Sequence, residues 1–184
     1  LVAKTAQATA DDALEAITEI AFTINTVPTQ SGSLTYTGSA QSPTWNSYDP
    51  NALQIGGTTT GTNAGTYQAI FTPKDPYKWA DGTTTAKTVN WTIGRAGITL
   101  PTQSGSLTYT GAAQSPSWSG YDSNKMTLGG TTSGTNAGSY NASFTPKANY
   151  QWTDGTTSAK TAAWSIGKAA GSLTLSKSSV SIGV

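Results

Sequence analysis

The chain repeats itself. Pro28 falls on Pro101, and the register that sets these two together holds without a gap as far as Ala96 on Ala169. "PTQSGSLTYTG" meets an identical copy, followed by "QSP", Trp45 on Trp118, "GGTT", "GTNAGTY" on "GTNAGSY", "FTPK", "DGTT" and Trp91 on Trp164. A recurrence this long is a duplicated domain rather than one turn of a short solenoid, because about 70 residues can enclose a small core of their own. The repeat divides the chain into domains at 23–97 and 98–169, a leading segment at 1–22 and a closing segment at 170–184.

All six Trp and all eight Tyr lie inside the repeats, whereas the two Glu, Glu15 and Glu19, lie upstream. Within a repeat the hydrophobic period is two. "TYQAIFTP" puts Tyr67, Ala69 and Phe71 on one face, and "TVNWTI" does the same with Val89, Trp91 and Ile93, as half-buried strands require. With "SLTYTG", "SPTWNSY" and "LQIGG" each copy carries six or seven short strands, a count that suits a β-sandwich. Asp81-Gly82 marks the bend before "TVNWTI", either as a tight hairpin turn or, since a Thr run follows, as a longer loop.

Composition removes several functions. A net charge of +1 with no Lys/Arg block lacks the footprint of a protein that neutralises phosphates, so nucleic acid is not an expected partner. With no Cys and no His there are no disulfides, no thiolate metal sites and none of the commonest general base. A Ser or Thr nucleophile would need Lys or a carboxylate as base, and no local spacing suggests one; no catalytic residue, metal or cofactor is expected. Asp49, Asp81, Asp122 and Asp154 are too scattered for calcium, which takes about six to eight oxygens. No apolar run approaches the roughly 20 residues of a membrane span, and no basic-then-apolar leader opens the chain. Beginning at Leu1, the chain reads as a fragment or a processed product.

"GTNAG" resembles a phosphate-cradling loop, but such loops lead into a helix and this one leads into an alternating strand. Asn63, Gly65 and Tyr67, repeated as Asn136, Gly138 and Tyr140, instead resemble the tyrosine corner of immunoglobulin-like domains. There a Tyr near the start of a strand returns its hydroxyl to the upstream backbone, and Gly65 is expected to supply a conformation that a Cβ disfavours. Trp45 and Trp118 would correspond to the core Trp of such domains. The antibody cysteines are missing, with Ala69 and Ala142 where the second would fall.

The unit as a whole, through "SLTYTG.AQSP", "GTNAG.Y.A.FTPK", "Y.W.DGTT.AK" and "W.I..A", resembles the bacterial and phage immunoglobulin-like repeats of gut Gram-positive surface proteins. The closing "GSLTLSKSSVSIGV" looks like the opening strands of a further bacterial immunoglobulin-like domain, truncated, or a strand-like tail. The resemblance implies two tandem immunoglobulin-like β-sandwich domains used as spacers, display elements or adhesive units, and no reaction.

Trp79 and Trp152, just before the Asp-Gly bend, are candidate platforms for a host-surface glycan if exposed; core packing is the competing assignment. Lys87 with Asp81 and Lys160 with Asp154 are the paired candidates for a Lys–Asp cross-link, which would need a buried carboxylate beside it. Upstream, Ala3, Ala6, Ala10, Ala13, Ile17 and Ile20 form a heptad seam, with Asp11, Asp12, Glu15 and Glu19 off it. This short N-terminal helix is expected to attach the domains, as a trimeric coiled coil or by docking on its own domain or on another virion or surface protein. The expected role is a structural and display module of a phage virion or tail fibre. A secreted bacterial adhesin or carbohydrate-binding module is the alternative, so the expected location is the virion or the bacterial cell surface.

Overall fold

The computed structural model describes residues 2–171, with the backbone alone at 2–6 and 18–21. The closing segment read as a third domain or tail lies almost wholly outside the described residues. The chain is mainly β, with one N-terminal helix, and divides into two compact units, Leu1–Gly97 with Ala148–Gln151 and Ile98–Lys147 with Trp152–Val184.

Helix α1 (Val2–Ala21) forms where Ala is frequent and Gly and Pro are absent, so backbone propensity favours it throughout. Every described side chain from residue 7 to 17 is exposed, Ile17 at 64%. The seam positions Ala10, Ala13 and Ile17 are therefore not packed on the chain's own domains. Ala3, Ala6 and Ile20 lie outside the described side chains.

The first unit continues through β1 (Thr23–Ile24), β2 (Thr29–Ser31), β3 (Leu34–Thr35), β4 (Thr44–Asn46), β5 (Leu53–Gly57), β6 (Gly65–Pro73), β7 (Lys78–Trp79) and β8 (Lys87–Gly94). A four-stranded sheet runs β3-β8-β6-β5, antiparallel except for the parallel β3–β8 edge; β2 pairs with β4 antiparallel, and β1 with β7 in parallel. The period-two segments became the two central strands. On β6 Ala69 and Phe71 are buried, and on β8 Trp91 and Ile93. With Leu53 and Trp79 they form the core, against which Trp45, Tyr48, Tyr67 and Val89 pack partly buried. Trp45 is thus a half-buried flank meeting Phe71 edge-on at 4.9 Å, while the central tryptophans are Trp79 and Trp91.

After β9 (Ala96–Ile98) the plan recurs along the chain with β10 (Thr102–Ser104), β11 (Leu107–Thr108), β12 (Ser117–Ser119), β13 (Met126–Gly130), β14 (Gly138–Pro146), β15 (Tyr150–Trp152) and β16 (Lys160–Gly167); of these, only Tyr150 and Gln151 at the start of β15 belong to the first compact unit. The second unit's four-stranded sheet runs β11-β16-β14-β13, and β10 pairs with β12. Phe144, Trp152, Trp164 and Ile166 are buried at the positions equivalent to Phe71, Trp79, Trp91 and Ile93.

The Asp81-Gly82 bend is a tight turn, closed by the Gly82 N–H on the Trp79 carbonyl at 2.8 Å and the Trp79 N–H on the Thr83 carbonyl at 2.9 Å, and the Thr run beyond it forms a longer connection to the next strand. Its incoming strand β7 pairs with β1, its outgoing strand β8 pairs with β6 and β3, and the segment therefore crosses between sheets. Gly82 still takes a positive φ of 79°, as Gly155 does at 83°.

Candidate functional site

The corner is built as its residue types suggest, but with a different glycine. Tyr67 begins the buried half of β6, and its hydroxyl donates to the Asn63 carbonyl at 2.7 Å; Tyr140 donates to Asn136 at the same distance. Each Tyr ring stacks on the opposing strand's indole at 4.5 Å and 22°, Tyr67 on Trp91 and Tyr140 on Trp164. The register places these residues directly opposite one another. Each indole N–H is satisfied by a strand-end carbonyl, Trp91 by Thr58 at 2.6 Å and Trp164 by Thr131 at 2.7 Å.

The other face of each Tyr lies on a glycine. A Cβ at Gly61 would sit 2.5 Å from Tyr67 Cζ, and one at Gly134 equally close to Tyr140 Cζ. Gly65 and Gly138 do not take a positive φ and a Cβ on either would meet nothing within 4 Å. The strain assigned to Gly65 from the sequence is therefore absent. What the corner needs is the first glycine of "GTNAG", because a Tyr ring clamped between an indole and a backbone leaves no room for a methyl. Gly61 is held in place by reciprocal backbone hydrogen bonds with Gln41 at 2.8 and 2.9 Å, as Gly134 is by Gln114.

A second device was not foreseen from the sequence. The Gln30 side-chain amide bonds both backbone groups of Thr92, accepting from its N–H at 2.8 Å and donating to its carbonyl at 3.0 Å. Gln103 does the same to Ser165, at 2.9 and 3.1 Å. A primary amide has the donor and acceptor of a peptide unit, so each Gln satisfies β8 or β16 as one more strand residue would. The recurrence of "PTQSG" was the available signal; nothing in it indicated that the side chain would pair with a backbone at the far end of the same repeat.

Trp79 and Trp152 are buried, each 1% exposed, with their indole N–H groups donating to Thr85 O and Ser158 O at 2.8 Å. Neither has a ring face open to a sugar, and packing accounts for both. Lys87 lies over the Trp79 ring, 4.8 Å from its centroid, and donates to Asp81 Oδ2 at 3.0 Å. The other carboxylate oxygen accepts from the Thr83 N–H at 2.9 Å and its hydroxyl at 2.6 Å. Lys160, Asp154, Thr156 and Trp152 repeat the arrangement.

The hydroxyl and backbone N–H of Thr83, with Lys87, hold Asp81 down to about 2. Asp154 is lowered as well, by Lys160 first and then by Thr156. The Lys and Asp side chains are 33% and 52% exposed in both units. A Lys–Asp amide needs a protonated carboxyl in a dry setting; here both carboxyls are held in the ionised form and face water. They act as a clip across the loop that joins the two sheets. Among the described residues no three acidic side chains gather into a metal-binding group.

No family model, curated protein or solved structure matches the chain. Among the described residues no helix is long and apolar enough to cross a membrane.

Proposed function

We propose that this protein is a non-enzymatic structural and display module: two tandem immunoglobulin-like β-sandwich domains carried on an N-terminal attachment helix. Its setting is a phage virion or tail fibre. The observation that carries this reading is the contrast between helix and β units. The β units bury their largest side chains in their own cores, whereas α1 presents every described side chain between residues 7 and 17 to solvent. Helices in proteins draw most of their stability from packing an apolar face rather than from propensity, so the natural stabiliser of this exposed 20-residue helix is a partner, either further copies of the same helix or another virion or surface protein. The corner, the Gln clamp and the Asp–Lys clip all serve to hold the units rigid, as projecting spacers require.

Light scattering on the intact chain and on a chain lacking residues 1–22 tests the proposal. The intact chain should be a multimer, or bind an isolated virion or cell-surface fraction, and the shortened chain should do neither. A strict monomer that also fails to bind would remove the attachment role. Saturable binding on a glycan array by the shortened chain would favour the carbohydrate-binding alternative, for which burial of Trp79 and Trp152 leaves no platform among the tryptophans first considered.

A further inference from the structure

The corner of the first unit is also a receptor. Its occupant is the segment Ala148–Gln151, which belongs to that compact unit. The Ala64 N–H donates to Asn149 Oδ1 at 2.9 Å, and Asn149 Nδ2 donates to Asn63 Oδ1 at 3.0 Å. The Ala96 N–H donates to the Asn149 carbonyl, and Arg95 Nε to the Ala148 carbonyl, both at 2.9 Å. Tyr150 then meets Tyr36 edge-on, with ring centroids 5.5 Å apart. Both ends of the Asn149 amide are read, and the side chain that follows is held by an aromatic ring. The chemistry recognised is an asparagine–tyrosine pair, not an arbitrary loop.

The register of the duplication carries Tyr36, Asn63, Ala64, Arg95 and Ala96 onto Tyr109, Asn136, Ala137, Lys168 and Ala169. Four of these five are identical, and Lys168 keeps the positive charge of Arg95. Among the described residues of the second unit, Tyr109, Ala137, Lys168 and Ala169 line an open cavity of about 240 Å³. Tyr109 is 41% exposed there, whereas Tyr36 is half-buried.

We propose that this notch on the second unit is a docking site for the asparagine–tyrosine loop of a further repeat of the same kind. That loop would place its Asn between the Ala137 N–H and Asn136 Oδ1 and its Tyr against Tyr109. The first repeat of another copy does not fit, because Pro76 stands where Asn149 would and has no amide to offer. The Asn149-Tyr150 pair of a second copy is already engaged within its own first unit. The partner is therefore a repeat unit other than the two described. This inference does not depend on the display role.

Amide NMR of the intact chain, titrated with a cyclic peptide of residues 147–152, tests it. The Ala137 and Ala169 resonances should shift saturably, and the same peptide with Asn149→Ala should leave them unmoved. Tyr109→Ala in the chain should weaken binding by roughly two- to tenfold, the worth of an edge-on aromatic pair, without moving the unfolding midpoint, since its ring is exposed. Three results would overturn the proposal: an unmoved Ala137, equal shifts with the Asn149→Ala peptide, or an Ala137 N–H already protected from exchange before any peptide is added. The last would mean that the chain itself fills the notch.

Discussion

The two copies coincide where the fold is closed and diverge where it is open. Tyr67 and Tyr140 make the same hydroxyl bond, the same stack and the same glycine contact. The segments leading into Trp79 and Trp152, by contrast, read Asp75-Pro76-Tyr77-Lys78 in one copy and Ala148-Asn149-Tyr150-Gln151 in the other. The corner cannot drift because each of its groups is fixed by another: indole, ring, glycine, carbonyl. A loop keeps only the residues it must bury or pair. Both loops retain their Tyr, but Tyr77 packs edge-on against Phe22 at 5.2 Å while Tyr150 packs against Tyr36.

That agreement can be broken most forcefully from the core. Trp91→Ala and Trp164→Ala should each cost about 3–5 kcal/mol, enough to unfold a unit of this size, as read by chemical denaturation. A clear inequality between the two would show that the duplicated cores are not equally tight. Gly61→Ala and Gly134→Ala come next, at about 1–3 kcal/mol, because each new methyl would drive a Tyr ring into an indole already 4.5 Å away. Gly65→Ala and Gly138→Ala are the matched controls and should stay within about 0.5 kcal/mol. If they prove as costly as the first pair, the assignment of the essential glycine is wrong. Tyr67→Phe and Tyr140→Phe should lose about 1 kcal/mol each, since the ring remains and only the hydroxyl bond goes.

The smallest effect is the pH dependence of the two clips. Asp81 and Asp154 both have folded-state pKa values below the ordinary carboxylate range. Their contribution is therefore fully present above the unfolded value near 4 and disappears as pH falls through the folded one. Carboxyl-carbon NMR should show the Asp81–Lys87 clip opening near pH 2 and the Asp154–Lys160 clip likewise opening below the ordinary carboxylate range. Both pairs are exposed, so raised salt should weaken them. Simultaneous opening of both at about pH 4, the ordinary carboxylate value, would mean that neither clip is closed in solution.

Much of the fold was legible because strands write their faces into alternation. Tyr67, Ala69, Phe71 and Val89, Trp91, Ile93 announced the two central strands, and the second copy repeated the pattern. The corner was legible as well, as a Tyr hydroxyl returned to the upstream backbone, although the structure was needed to name the Asn63 and Asn136 carbonyls as its acceptors. Its essential glycine was not. "GTNAG" contains two, and conformational freedom pointed to the one beside the strand, whereas the constraint is contact with a ring that reaches back over the turn. Trp79 and Trp152 illustrate the same limit. A Trp beside a polar bend is exposed or buried according to which sheet the bend crosses to, and local sequence does not hold that information.

By itself the sequence determined that this protein is two copies of a mainly β unit with an Ala-rich helix ahead of them, because duplication and hydrophobic period are properties of one dimension. Tertiary structure alone decided which glycine lies under the tyrosine, that Gln30 and Gln103 complete a distant strand, and that the Asn149 loop seats on Asn63, Ala64 and Arg95 while the equivalent surface at Tyr109 is unfilled among the described residues. Each of these joins groups that local sequence does not relate, or compares a filled surface with an unfilled one. Such relations exist only after the chain has closed on itself.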